Sequence, residues 1–217
     1  MTWISIYNPK GIGDVLLVSG GQASTTQVVT KTVGDVTQIK NEKTGAVVGY
    51  NIQQAAQYFQ LDKELTSEEA GLVTLSSAQE KQLNDLIEKA GFEAITLDNS
   101  PKFVVGYVES CVDHPDSDHL HVTKTQVGEG VTLQIVCGAP NIKAGQKVVV
   151  AKPGAMMPSG KEIWASELRG IESYGMICSE RELNLANASQ KRGILVLEDD
   201  ANIGEPFEIN TAEKVAV

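Results

Sequence analysis

Short β-branched runs broken by Gly, Asn, Pro and Asp, one long amphipathic helix pattern near residue 80, and a second half with little helical periodicity predict a chain of mixed class. The expectation is an α+β domain over residues 1–95, a linker at 96–102, an all-β Greek-key barrel over 103–208, and a tail at 209–217. A chain of 217 residues accommodates two domains of about 100 residues, each able to bury a core without a disulfide or metal staple.

In the first half, TWISIY (2–7), VLLVS (15–19), QVVTKT (27–32) and VTQIKN (36–41) read as strands. Asn51 is placed to cap a short helix, because Ile52, Ala55, Ala56 and Phe59 follow the i, i+3, i+4, i+7 spacing. The clearest element runs from Ser77 to Ala90. Ser77 and Glu80 have capping-box spacing, Leu83, Leu86, Ile87 and Ala90 make one apolar face, and Gly91 suits the left-handed position beyond the end. LDNSPK (97–102) then brings the small polar residues and proline of a linker.

The second half offers FVVGYVESCV (103–112), HVTKTQV (121–127), VTLQIVC (131–137) and QKVVVAK (146–152) as strands, with VGEG (127–130) a glycine turn between the second and third. Along TLQIVC, Leu133, Ile135 and Cys137 share one face while Thr132 and Gln134 take the other. Short strands, glycine turns and little helix suggest a small Greek-key barrel such as an OB-fold.

Three cysteines, Cys111, Cys137 and Cys178, without a C-x-x-C pair, point to reduced thiols. No apolar run reaches the ~20 residues of a membrane span, and MTWISIYNPKG lacks the basic-then-apolar pattern of a signal peptide. The expectation is a soluble cytoplasmic protein with no membrane partner. Formal net charge is −10, which repels nucleic acid unless the cations are segregated. They are: no acidic residue interrupts Gly138 to Lys161, a tract holding Lys143, Lys147, Lys152 and Lys161, with Lys124 just upstream. Solvated lysines explain the same clustering.

All three histidines lie in DHPDSDHLHVTK (113–124). A zinc site would draw on His114, His119, His121 and the aspartates, but the cysteines stand alone and His-Pro-Asp is turn chemistry. GAMMPSGKE misses the phosphate-loop pattern by one residue and carries Glu162 where a hydroxyl should be, and Gly11-Ile-Gly13 lacks a third glycine. Cys137 and Cys178 end apolar runs, the setting of a buried thiol rather than a nucleophile. No metal, cofactor or catalytic residue is expected.

VVGYVESCVDHPDSDHLHVTKTQVGEG, LQIVCGAPNIKAGQKVVVAKPGAMMPSG, ELRGIESYGMICSERELNL and RGILVLEDDANIGEPF resemble, in that order, the tRNA-binding domain family. The likeness runs from about Phe103 to Phe207 and is closest to the OB-fold near the start of the bacterial phenylalanyl-tRNA synthetase β subunit. The two-part arrangement resembles the bacterial YtpR-type proteins, whose N-terminal domain has no assigned role. The resemblance implies that the histidine stretch is the turn into the second barrel strand, shaped by Asp118 and Leu120. It also implies a non-catalytic domain that binds tRNA or another structured RNA.

On that footing Lys124, Lys143, Lys152, Lys161 and Arg169 would meet phosphates, and Asn141 and Ser173 would donate to phosphate or 2′-hydroxyl groups. His119 and His121 stand where relatives often carry Lys or Arg, and would add charge in acid. Gly138, Gly170 and Gly175 read as turn backbone. Aromatic residues are scarce in this half, so shape and backbone recognition outweigh base stacking. Two alternatives stay open: a barrel that has lost RNA affinity and docks a protein partner, and a cysteine or metal enzyme formed between the halves; a homodimer is compatible with each.

Overall fold

The computed structural model describes residues 2–22, 27–61 and 71–209. The chain divides into two compact units, Met1–Ser100 and Pro101–Val217. In the first, β1 (Ile4–Tyr7), β2 (Val15–Ser19), β3 (Val28–Val33), β4 (Val36–Asn41), β5 (Val47–Gln53) and β6 (Leu72–Val73) pair antiparallel in the order β3-β4-β5-β2-β1-β6. Helices α1 (Pro9–Ile12) and α2 (Ala55–Tyr58) are single turns, and α3 (Ser77–Lys89) is the one long helix among the described residues. The sheet dominates the described residues of this unit, with one long helix packed on it.

The helix expected to start at Asn51 is instead the end of a strand. Ile52 lies between Leu16 of β2 and Val36 of β4, and a ladder on both sides outweighs the helical spacing of its neighbours. Gln54 then turns the chain at φ 54°, and only Ala55–Tyr58 are helical. Helix α3 starts one residue earlier in cap register than expected. The Ser76 hydroxyl accepts from Gln79 N–H (3.3 Å) and the Gln79 side-chain oxygen accepts from Ser76 N–H (2.9 Å). Glu80, the expected box partner, instead accepts the Leu97 N–H at 2.8 Å. At the other end Gly91 takes φ 80°, and its N–H and that of Phe92 bond back to Glu88 and Ile87 in a Schellman closure.

Leu83 and Ile87 of α3 bury against Tyr7, Leu16, Val18, Tyr50 and Ile52 of the sheet. Leu97 joins this core and bridges Trp3, while Asp98 N–H donates to the Trp3 carbonyl. The segment expected to open a linker at residue 96 is therefore tied into the first unit by backbone pairing.

The second unit contains β7 (Phe103–Asp113), β8 (His121–Gln126), β9 (Thr132–Cys137), β10 (Lys147–Ala151), β11 (Ala155–Met156), β12 (Glu162–Ile163), β13 (Ala165–Leu168), β14 (Ile171–Tyr174), β15 (Met176–Ile177) and β16 (Val196–Leu197). One sheet has the order β15-β10-β7-β8-β9, with β16 also on β10; β11–β12 and β13–β14 are separate hairpins. Backbone pairing leaves this sheet open, in contrast to the closed barrel predicted. The reason is local: the Val136 N–H on the outer edge of β9 is taken by the Ser173 hydroxyl (3.1 Å), not by a strand backbone.

Strand β10 is buried on both faces. Val148 and Val150 join Val104, Val108, Ile135 and Cys137 on one side, while Val149 and Ala151 join Val105, Ala155, Cys178 and Leu195 on the other. That double burial is why its sequence is a continuous apolar run rather than an alternating one. Gly106 makes the close approach possible: a Cβ there would stand 2.5 Å from Val150 Cγ2. Of the expected tail, residues 210–217 lie outside the described residues, and Ile209 packs against the second of these clusters.

Candidate nucleic-acid interface

The 113–121 turn joins β7 to β8, with Asp113 paired to His121 and His114 N–H donating to the Leu120 carbonyl (2.9 Å). His114 is 3% exposed, and its Nδ1 accepts the Asp116 N–H (3.1 Å). The proton therefore sits on Nε2, which donates to the Leu168 carbonyl at 3.2 Å and ties the turn to the β13–β14 hairpin. The organising residue is thus His114, where the family resemblance implied Asp118 and Leu120. The Asp118 side chain is exposed beside His119 Nε2 (3.4 Å), and Leu120 packs where a Cβ on Gly138 would meet it. His121 Nδ1 lies 3.2 Å from an Asp113 carboxylate oxygen. Both outer histidines therefore stand beside carboxylates. Among the described residues, no three His, Cys, Asp or Glu side chains gather to hold a metal.

Beside this turn, a side-chain relay runs across β8, β9 and β14. Lys124 Nζ donates to Gln134 Oε1 (3.1 Å), and Gln134 Nε2 donates to the Glu172 carbonyl (2.8 Å). Ser173, expected to meet RNA, is 2% exposed; its hydroxyl accepts from Val136 and donates to the Gly175 carbonyl (3.3 Å). That hydroxyl is spent holding β14 to β9. Gly175 adopts φ 124°, and a Cβ there would come within 2.7 Å of the Ala151 carbonyl oxygen. Arg169 at the hairpin tip is exposed, and its Nη1 donates to the Asp116 carbonyl (2.9 Å).

The loop from Gly138 to Gln146 is braced in the same way. Asn141 donates to the Ile194 carbonyl (3.0 Å) and accepts the Ile194 N–H (2.8 Å), imitating a strand pair. Its amide braces the loop, while the residue itself stays exposed. Gln146 accepts from Lys143 N–H (2.8 Å) and donates to the Asn141 carbonyl (3.1 Å), leaving the Lys143 side chain exposed. Arg192 reaches this loop, donating to the Gly138 carbonyl at 3.3 Å. Arg192 and its exposed neighbour Lys191 do not stand out in the basic tract of the sequence; a basic pair just before GILVL was the available signal.

The acid-free tract does not become one basic stripe. Lys147 Nζ donates to the Asp199 carbonyl. Lys152 is half-buried and its N–H donates to the Lys102 carbonyl (2.8 Å). Lys161 is exposed on the β11–β12 hairpin, on the wall of a cleft it shares with Glu182. Acidic segments far along the chain thus return beside these lysines.

The thiols are poor nucleophiles. Burial, reinforced by the Glu182 charge, pushes Cys178 up to about 12, and burial also raises Cys137 and Cys111. A reactive cysteine needs the opposite shift.

Residues 103–206 match the family described as "Putative tRNA binding domain", and residues 23–99 match a domain of unknown function, DUF4479. The chain is 48% identical to the "Putative tRNA-binding protein YtpR" of Bacillus subtilis, an alignment covering 94% of this chain and 98% of that protein. This chain belongs to the YtpR family. The YtpR-family chain is also 47% identical to the phenylalanine–tRNA ligase beta subunit of Oceanobacillus iheyensis over 60% of its own length, though only 17% of that subunit's. With the Porphyromonas gingivalis beta subunit it shares 51% identity over 48% of its length and 13% of the subunit's. The second unit of the YtpR-family chain is thus similar to one module of those larger proteins.

Proposed function

We propose that this protein binds tRNA through its second unit, in a non-catalytic role, and that the unit is an OB-type fold in which side chains complete the contact between β9 and β14. The observation that carries the reading is the near full-length identity with the YtpR protein of Bacillus subtilis, joined to the tRNA-binding domain match over 103–206. The geometry adds support. Lys124, Lys143 and Arg169 are exposed on strands and turns whose backbones are pinned by His114, Asn141, Gln146 and Ser173, and Lys161 is exposed on the β11–β12 hairpin. Preorganised cations of this kind suit a structured phosphate backbone, with affinity that falls as salt rises. Lys152, His119 and His121 lie in the same unit and contribute less: Lys152 is half-buried, and each histidine sits beside a carboxylate.

The test is tRNA binding measured across a salt series with wild-type protein and with K124E combined with K143E. For every phosphate that a lysine no longer neutralises, the slope of log K against log salt is expected to flatten by about 0.7 to 0.9. Ser173→Ala serves as the contrast. It orphans a buried N–H, costing about 1–3 kcal/mol of stability, and is expected to leave the slope unaltered. No binding by the folded wild type at low salt would overturn the reading in favour of a protein-docking role.

A further inference from the structure

A cleft of about 610 Å³ opens in the second unit, lined by Met157, Lys161, Met176, Ser179, Arg181 and Glu182 among others. Its volume falls within the ~300–1,000 Å³ typical of small-molecule sites. Met157, 2% exposed, backs the cleft from the core, and the half-buried Met176 presents a soft polarisable thioether suited to a flat ring. Lys161 and Arg181 are exposed, and neither side chain has a hydrogen-bond or ion-pair partner among the described residues.

Glu182 supplies the polar discrimination. Its Oε2 accepts both the N–H (2.8 Å) and the hydroxyl (2.6 Å) of Ser179, and its own N–H returns to the Ser179 hydroxyl at 3.3 Å. The carboxylate is thereby held in one orientation, and Oε1 has no hydrogen-bond partner among the described residues. A carboxylate favours a base edge with an exocyclic amine over uracil, whose single N3–H donor is flanked by two carbonyl acceptors that repel it.

We infer that this cleft binds one unstacked nucleotide of single-stranded RNA, its base on Met176, its amine on Glu182 and its phosphate on Lys161 and Arg181. This deepens the tRNA-binding reading and rests on it: the single-stranded part of a bound tRNA would deliver the nucleotide, while the duplex regions meet Lys124, Lys143 and Arg169.

The experiment uses the full chain with labelled oligoadenylate, oligocytidylate and oligouridylate, AMP as a competitor, and tRNA. Oligoadenylate and oligocytidylate are expected to bind more tightly than oligouridylate. K161E combined with R181E is expected to weaken oligoadenylate about tenfold or more with the melting temperature unchanged. E182Q retains an acceptor for Ser179 but turns a donor toward the base, so the preference should invert toward uracil, an effect a merely structural role would not produce. Equal binding of the three oligomers, or indifference to both variants, overturns the proposal. AMP competing as strongly as oligoadenylate would assign the cleft to free nucleotides instead of RNA. Wild type and variants that bind tRNA equally while ignoring the oligomers would overturn the cleft alone. Failure to bind tRNA at all, by contrast, would count against the wider reading, with the oligomer series still deciding the cleft.

Discussion

His114, Ser173, Asn141 and Gln146 share a pattern: each spends its polar atoms on backbone groups of a segment distant in sequence or of the same loop's far end. These bonds satisfy loop and edge groups that would otherwise be buried unpaired. In Ser173, 2% exposed, the same kind of bond occupies the hydroxyl expected to meet RNA. Cys178 shows the cost of burial on the acid–base side. An unfolded thiol ionises at about 8.5, whereas the folded one is pushed up to about 12 by burial and then by Glu182. The folded-state value is the higher, so the stabilisation is complete below about pH 8.5 and is lost as pH rises toward 12. Thermal melts in reductant are expected to be level from pH 7 to 8 and to fall steeply from pH 9 to 11. Tyr7 and Tyr50, also raised chiefly by burial, add to this alkaline loss. Cys178→Ala is therefore the informative comparison: a lower melting temperature at pH 7 from the cavity, but a shallower alkaline decline. An identical alkaline slope in wild type and variant would show that the thiol does not govern it.

At the scale of single elements, α3 and β5 illustrate how partners select among local options. The sequence S76-S77-A-Q79-E80 offers two capping boxes in adjacent registers, and the structure uses Ser76 with Gln79 while Glu80 holds the Leu97 N–H. Ser76→Ala is expected to lower stability by about 0.5–2 kcal/mol in urea unfolding, the usual loss for an N-cap, and Ser77→Ala by no more than a few tenths. The reverse order of costs would place the cap at Ser77. For β5, the run Ile52, Ala55, Ala56, Phe59 has helical spacing, but the pairing of Ile52 with both β2 and β4 extends the strand to Gln53. Only the four residues beyond the left-handed Gln54 keep the helical option.

At the scale of the whole molecule, each unit builds its core from its own residues: one cluster in the first, two flanking β10 in the second. A fragment of residues 101–217 is therefore expected to unfold cooperatively by itself and to keep the tRNA affinity and salt slope of the full chain. A folded fragment that does not bind would shift the RNA surface to the first unit.

Local pattern determined much of this protein. The four runs of the second half are strands, Leu133, Ile135 and Cys137 do share the core face, and α3 buries the apolar side its spacing defined. Such features are legible because periodicity within one element dictates which side chains share a face. The ordered motifs from Phe103 to Phe207 likewise carried the family. Tertiary structure alone decided the rest. Asn141 and Ile194 are 53 positions apart, as are Arg169 and Asp116, and Ser173 lies 37 from Val136. Whether these polar groups face solvent or fasten a loop depends on which distant backbone they meet. The basic tract was dispersed for the same reason, since Asp199 and Glu182 return beside lysines from which they are remote in sequence. Charge and hydrogen bonding act through space, and one-dimensional order records only part of that proximity.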